Sequence, residues 1–308
     1  MSPDLVSTEK WLYDQLVLHR LIVPLGVDGV FGRGPVFEDV LQRFSDLITI
    51  AGSSDDAEPL HFPPVIPRKL LEQSGFLNAF PHLAATIFSF AGTDAQHREL
   101  QQAVACGKDW SAYQKMTDVA LASAACYPVY ASTSGVLPAG GRVIDVTSYC
   151  FRHEPSEDPT RLQIFRMREF IRLGTADAVT SWRMSWMERG SALLESLGLQ
   201  VRLVSASDPF FGRVGRMLAA NQREQELKFE IVVPIISDER PTAVMSFNYH
   251  QEHFSSKFDI RTAPDTLAHT ACLGFGLERI VLALLKTHGF EPRTWPHEIR
   301  RQLWPPPS

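Results

Sequence analysis

Along FEDVLQRFSDLITIAG the apolar positions Phe37, Val40, Leu41, Phe44, Leu47 and Ile48 recur every three or four residues. At 3.6 residues per turn they make one buried stripe, so the pattern predicts an amphipathic helix that Gly52 ends. Before it, residues 1–35 mix helical and loop signals and close on the turn VDGVFGRGP; after it, SSDDAEP reads as a solvated turn. The prolines of LHFPPVIPRKLLEQSGF allow only an edge strand or extended segment, followed by a helix around Lys69–Gln73. A further helical stretch is expected over 97–126, leading to Cys126. From residue 142 the runs shorten, and RVIDVTSYCFRHE and RLQIFRMREFIRL read as an antiparallel hairpin joined through PSEDPT. A helix over roughly 177–197 stops at Leu197-Gly198, and the strand VRLVS, the loop SDPFFG and the basic helix GRMLAANQREQEL follow. The strands KFEIVVPII and TAVMSFNYH then lead to a final helix starting near Gly276. Strands cluster centrally without regular alternation with helices, which predicts the α+β class: an antiparallel β-sheet flanked by helices. No repeat or low-complexity tract divides residues 1–308, so one principal domain is expected.

Composition narrows the function. Thirty Lys and Arg against thirty-five Asp and Glu leave a net charge of -5, which disfavours a dedicated polyanion binder. The cysteines Cys106, Cys126, Cys150 and Cys272 form no CxxC pair, and no apolar N-terminal run suggests a signal peptide, so a reducing cytoplasm is expected. Apolar runs such as IVLALL are far shorter than the roughly 18–20 residues of a membrane span.

Chemistry concentrates in the hairpin. Arg152 and Glu154 are two apart and would share a face of the first strand, while Phe165, Met167 and Glu169 would share a face of the second. Such a face can clamp a nucleotide, with guanidinium on phosphate, carboxylate near the adenine amino group and a ring on the base. Taken alone, the same residues fit surface arginines and a core phenylalanine. Three segments in order are more specific. CFRHEPSEDPTRLQIF resembles motif 2 of class II aminoacyl-tRNA synthetases, with Arg161 and Phe165 opening its second strand. GFGLERIVLALL resembles motif 3, with Arg279 as its arginine, and Phe37–Pro64 resembles motif 1, a helix and a strand ending in proline at a dimer interface. The resemblance implies the class II catalytic-domain fold and a homodimer. It also implies ATP bent on the sheet, with Phe165 and Arg279 on either side of adenine, Arg152 at the α-phosphate and Glu154 near the adenine amino group.

Cys126, Glu169 and Cys272 resemble the zinc ligands of the atypical archaeal seryl-tRNA synthetases: a Cys, a motif 2 Glu and a Cys just before motif 3. Three protein ligands leave an open position, as catalytic zinc requires. Cys106 and Cys150 are read as small buried apolar residues. No heptad-patterned arm or basic extension precedes Phe37, so a tRNA-binding domain is not expected. The runs SDPFFGRVGRMLAANQREQELKFE, SFNYHQEHF and AHTACLGFGLERI resemble the amino acid:[carrier protein] ligases, truncated homologues of those synthetases, over nearly the whole chain from about residue 20.

That resemblance implies activation of glycine or alanine by ATP and Mg²⁺, with Zn²⁺ on the amine. The amino acid is then transferred to the phosphopantetheine thiol of a small acidic carrier protein, without tRNA or membrane. It also implies a helical insertion over about 177–228, between motifs 2 and 3. Glu230, Ser246 and Asn248 are candidates for Mg²⁺ or substrate contacts, although SFNYHQEHF lacks the acidic metal-binding residue of the synthetases. Two arginine groups could dock an acidic carrier: Arg213, Arg216 and Arg223, or Arg293, Arg300 and Arg301 with Trp295 and Trp304 as apolar anchors. The alternatives are a zinc-dependent enzyme acting on tRNA and a catalytically silent regulatory paralogue.

Overall fold

A computed structural model describes residues 3–306. Seven strands form the central sheet: β1 (Glu58–Leu60), β2 (Arg142–Phe151), β3 (Ile164–Gly174), β4 (Arg202–Ser205), β5 (Lys228–Val233), β6 (Thr242–Gln251) and β7 (His269–Gly276). Their order is β4-β5-β6-β7-β3-β2-β1. All neighbours are antiparallel except β1 and β2. The predicted hairpin is the longest ladder, running from Arg142 opposite Leu173 to Phe151 opposite Ile164. The helices that bear on the sheet are α1 (Pro35–Gly52), α2 (Ala176–Ser196), α3 (Gly212–Glu224) and α4 (Leu277–His288).

Alternation along the strands sends two sets of side chains to opposite faces. On the back face Phe170, Ile231, Met245, Phe247, Leu273 and Phe275 join the stripe Phe37, Val40, Leu41, Phe44 and Ile48 of α1 in one core with α2 and α4. Close approach is built in at Gly190 of α2, where a Cβ would stand 2.8 Å from Met245 Sδ. On the front face the helices Arg68–Ser74, Tyr127–Ser132 and His253–Phe258 cover one part of the sheet, forming a second core that includes Leu71, Tyr130, Ile144, Ile171 and Phe254. The rest of that face, over β3, β7, β6 and β5, floors a cleft.

A buried ionic network fixes the floor to the back layer. Arg166 of β3 grips both oxygens of Glu38 on α1 at 2.7 Å, and its backbone and side chain both donate to Glu278 at the start of α4 (2.7 and 2.9 Å). Arg33 adds an ion pair to Glu278 at 3.3 Å and a hydrogen bond to the Ile164 carbonyl at 2.8 Å. Glu278 is 1% exposed, so its bonds to Arg166 and Arg33 act in a poorly screened setting. The residues on either side of the network, Phe165 and Arg279, thereby keep a fixed relation.

Several sequence expectations need correction. The helix expected over 97–126 exists only as Asp94–Ala105; Gly107, at φ +64°, turns the chain, and Gln114–Leu121 is a strand paired with Val65–Pro67 and Thr86–Phe90. The first hairpin strand ends at Phe151, so Arg152 and Glu154 lie beyond the ladder; Glu154 N closes a tight turn on Arg152 O at 2.8 Å, just ahead of Pro155. The SSDDAEP turn is not fully solvated. Asp55, 8% exposed at its side chain, accepts from Trp182 Nε1 at 3.1 Å, from Trp186 Nε1 and from Arg189 at 2.8 Å. Among the described residues no helix is long and apolar enough to cross a membrane.

Asp55 therefore ties the end of α1 to three side chains of α2. Asp55→Ala leaves two indole N–H groups and a guanidinium without their acceptor and is expected to cost about 3 kcal/mol. Chemical denaturation measures it, and an unchanged midpoint would refute this role.

Candidate active site

Three chain segments converge at one end of the floor. Cys126 caps the helix Tyr127–Ser132, Glu169 rises from β3 and Cys272 from β7, and their ligand atoms all lie within 4.8 Å of one another. They are 5%, 1% and 4% exposed. Glu169 accepts from Ala125 N at 2.8 Å, and no salt bridge reaches it among the described residues. Asn248 Nδ2 stands 3.5 Å and His250 Nε2 3.6 Å from Cys272 Sγ. Burial, then the charge of Cys272, push the Glu169 carboxyl up to about 8. A hydrogen bond from Cys126 holds Cys272 well below the usual thiol range; the same bond, with burial, raises Cys126. A buried carboxylate beside two thiols lacks charge compensation from the protein, and this donor set suits a soft or borderline divalent ion.

Beside the cluster, Phe165 and Met167 share the Glu169 face of β3. Gly274 of β7 keeps that floor low: a Cβ there would meet Met167 Cε at 3.0 Å and Glu169 Cγ at 3.3 Å. Arg152 donates through Nε to the Ser123 carbonyl at 3.1 Å and lies over the Phe165 ring, 5.4 Å from its centroid. Among the described residues Arg279 donates only to carbonyls, those of Thr160 at 2.9 Å and Ala243 at 3.0 Å. Burial, then Arg152 and Arg161, lower its pKa. Among the described residues neither Arg152 nor Arg279 has a carboxylate within salt-bridge distance. Two guanidiniums left without counter-ions in one cleft suit a polyanionic ligand. The buried hydroxyl of Ser123 also has no partner among the described residues, and it faces the same cleft.

The sequence-predicted residues Cys126, Arg152, Glu154, Phe165, Glu169, Glu230, Ser246, Asn248, Cys272 and Arg279 all line this one cavity of ≈690 Å³. Arg161 does not; it is exposed, 4.0 Å from Asp158. Glu230 gives one oxygen to Lys228 at 3.1 Å, and Ser246 and Asn248 stand together at 3.5 Å. Cys150 is buried, as expected, and its thiol pKa is raised by that burial. Cys106 is exposed, contrary to the expectation of a buried residue, because it ends the surface helix Asp94–Ala105. Sequence reasoning missed Asp208, Lys228 and His250. Burial would lower Lys228 and raise Asp208, but their mutual charge, with Glu230 and Gln222, overrides it and keeps both charged. A lysine in the apolar β-run KFEIVV was the one available signal.

The Glu169 shift gives a pH dependence in metal-free protein. The folded state takes its proton near 8 and the unfolded chain near 4.5, so the fold binds more protons between those values and loses stability as pH rises through them. After chelation, Tm is expected to fall by several °C from about pH 5 to about pH 8, and Glu169→Gln to flatten that slope. Parallel thermal melts decide it; the same slope in both proteins would contradict the assignment.

Known proteins resemble this chain over more than nine-tenths of its length. Amino acid–[acyl-carrier-protein] ligase 1 of Bradyrhizobium diazoefficiens is 45% identical over 304 residues, 97% of this chain and 92% of that protein. Ligase 2 of the same organism is 42% identical over 281 residues, 91% of this chain and 84% of that one. Among solved structures, M. kandleri seryl-tRNA synthetase in complex with A. aeolicus tRNASec superposes with a TM-score of 0.81 at 20% identity, covering 95% of this chain and 60% of that one. No family model matches. The last likeness establishes the fold, that of a class II synthetase catalytic domain, and the first two carry the assignment: the chain belongs to the amino acid–[acyl-carrier-protein] ligase family.

Proposed function

We propose that the cleft activates a small amino acid, glycine or alanine, as its aminoacyl-adenylate and passes it to the phosphopantetheine thiol of a carrier protein. The observation that carries this reading is the junction, in one cavity, of the Cys126–Glu169–Cys272 donor set with the unpaired guanidiniums of Arg152 and Arg279. Cys126, Glu169 and Cys272 would hold Zn²⁺, which supplies a Lewis-acid anchor for the substrate amine. Asn248, next to Cys272, belongs with this end of the cleft, and Glu230 and Ser246 are the remaining candidates for Mg²⁺, whose charge would offset that of the phosphates.

Phe165 provides a face for adenine, with Arg279 opposite and Glu154 at its edge. Arg152, held by the Ser123 carbonyl, orients the α-phosphate. A carboxylate oxygen of the amino acid attacks the α-phosphorus, the bond to the β-phosphate oxygen breaks and pyrophosphate leaves. The carrier thiol, losing its proton, then attacks the carbonyl carbon, and AMP leaves as the thioester forms. Positioning and electrostatic stabilisation provide the acceleration, so the arginines matter most. ATP–pyrophosphate exchange with each small amino acid tests this reading. Arg152→Ala and Arg279→Ala are each expected to reduce exchange by on the order of 10²-fold or more. Undiminished exchange in both would remove the arginines from the mechanism.

Of the two candidate docking groups, the observations favour the one on α3, within the segment 177–228 that we read as the family insertion. Arg213, Arg216 and Arg223 are exposed there beside Phe211, Val214 and Met217, and Val214 and Leu218 of the same helix line the cleft. The C-terminal group loses its apolar anchor: Trp295 is 2% exposed, packed against His288 and Trp304, which itself donates to Asp39. Arg216→Glu is expected to raise the apparent KM for an acidic carrier roughly tenfold and to weaken its salt dependence, leaving pyrophosphate exchange intact. Equal effects from Arg300→Glu would place the dock at the C-terminus.

A further inference from the structure

The mechanism above makes no use of the Lys228–Asp208 ion pair that lines the cleft. Lys228 of β5, Asn248 of β6 and Cys272 of β7 are register partners, so their side chains rise from the same face in one row. Adjacent strands are about 4.8 Å apart, which sets Lys228 two strands, about 10 Å, from the cluster that includes Cys272. Its ammonium, 10% exposed, binds Asp208 at 2.5 Å and Glu230 at 3.1 Å. Asp208 comes from the loop between β4 and α3, beside the β5 edge of the cleft, where Ala206 N donates to the Lys228 carbonyl at 3.1 Å. Its backbone N donates to Gln222 Oε1 at 2.7 Å, and its carboxylate accepts from Gln222 Nε2 at 2.8 Å. The pair thus ties β5 to Gln222 of α3 along one side of the cleft. Asp208 also lies close enough to Arg152 and to Tyr127, the neighbour of Cys126, for its charge to act on both.

We propose that the Lys228–Asp208 pair is the wall that measures the amino acid side chain. This rests on the reading that the amine sits at Cys126, Glu169 and Cys272 and the carboxylate at Arg152. The α-carbon then stands between the cluster and the pair, beside Asn248 and Gly274, and the side chain points along the row at Lys228. A hydrogen or a methyl fits in front of the wall. A longer chain has to pull Asp208 off a buried ammonium or break its grip on Gln222, and both are costly, since Lys228 would be left buried without its partner. Charge adds to size, because apolar atoms pressed on the pair strip it of water and gain no hydrogen bond in return.

The test is pyrophosphate exchange by full-length protein with glycine, L-alanine, L-2-aminobutyrate and L-valine. In the wild type, kcat/KM is expected to fall at least tenfold for each carbon added beyond alanine, the usual discrimination per methylene in a closed pocket. In Asp208→Ala/Lys228→Ala the ratio of 2-aminobutyrate to glycine is expected to rise at least tenfold. In Asp208→Asn/Lys228→Met, which keeps the volume and removes the charges, that ratio is expected to rise too, but by less than in the alanine pair. Wild-type protein that activates 2-aminobutyrate as well as glycine overturns the proposal, whatever the variants do. So does an unchanged ratio in the alanine pair, and so does equal broadening in both pairs, which would make charge rather than volume the determinant. Failure of the wild type to exchange with any amino acid would overturn the adenylate-forming reading instead.

Discussion

Two thiols and a carboxylate packed together away from water are an unstable combination, and the architecture of the front face follows from making it possible. Each donor is delivered by a different device: Glu169 by the central strand β3, Cys272 by the register of β7 against it, and Cys126 by the turn into a short helix whose Tyr130 stacks on Phe254. Desolvation makes the cluster costly without a cation, so on the proposed reading the folding of this part of the chain and its chemistry are linked. Gly274 and the backbone N–H of Ala125 serve the same end, the first by leaving room beside Glu169 and the second by holding its oxygen.

The Arg152–Arg279 end of the cleft obeys the opposite rule. Acidic partners are withheld from Arg152 and Arg279, which are positioned by carbonyl oxygens, whereas Arg166 and Arg168 of the neighbouring strand positions are neutralised by Glu38, Glu278 and Asp145. Arg166 and Arg168 of β3 point to the back of the sheet and are structural, whereas Arg152, just after β2, and Arg279, on α4, face the cleft with no carboxylate at salt-bridge distance among the described residues. The Arg166–Glu278 bond joins the two classes, since it locks the strand bearing Phe165 to the helix bearing Arg279.

How much of this the sequence carried depended on the range of the interaction. The stripe of α1, the β2–β3 hairpin and the start of α4 were legible because each is set by local periodicity and by nearby glycines. The donor triad was legible through spacing against known motifs, since Cys126, Glu169 and Cys272 are 43 and 103 residues apart. The strand Gln114–Leu121 was not, because its pairing with Thr86–Phe90 and Val65–Pro67 overrides weak local preference. Asp55 and the Asp208–Lys228 pair resemble surface charges in the sequence, and only tertiary packing buries them. Trp295 illustrates the reverse error: an aromatic residue in an arginine-rich tail looked like an anchor and is instead core.

The central claim is that the buried triad is a metal centre. The most direct measurement is the zinc content of purified protein by elemental analysis, for the wild type and for Cys126→Ser/Cys272→Ser, after exhaustive dialysis against metal-free buffer. The account predicts about one zinc per chain in the wild type and essentially none in the double variant. Zinc-free wild type that still activates amino acids, or stoichiometric zinc in the double variant, would contradict it.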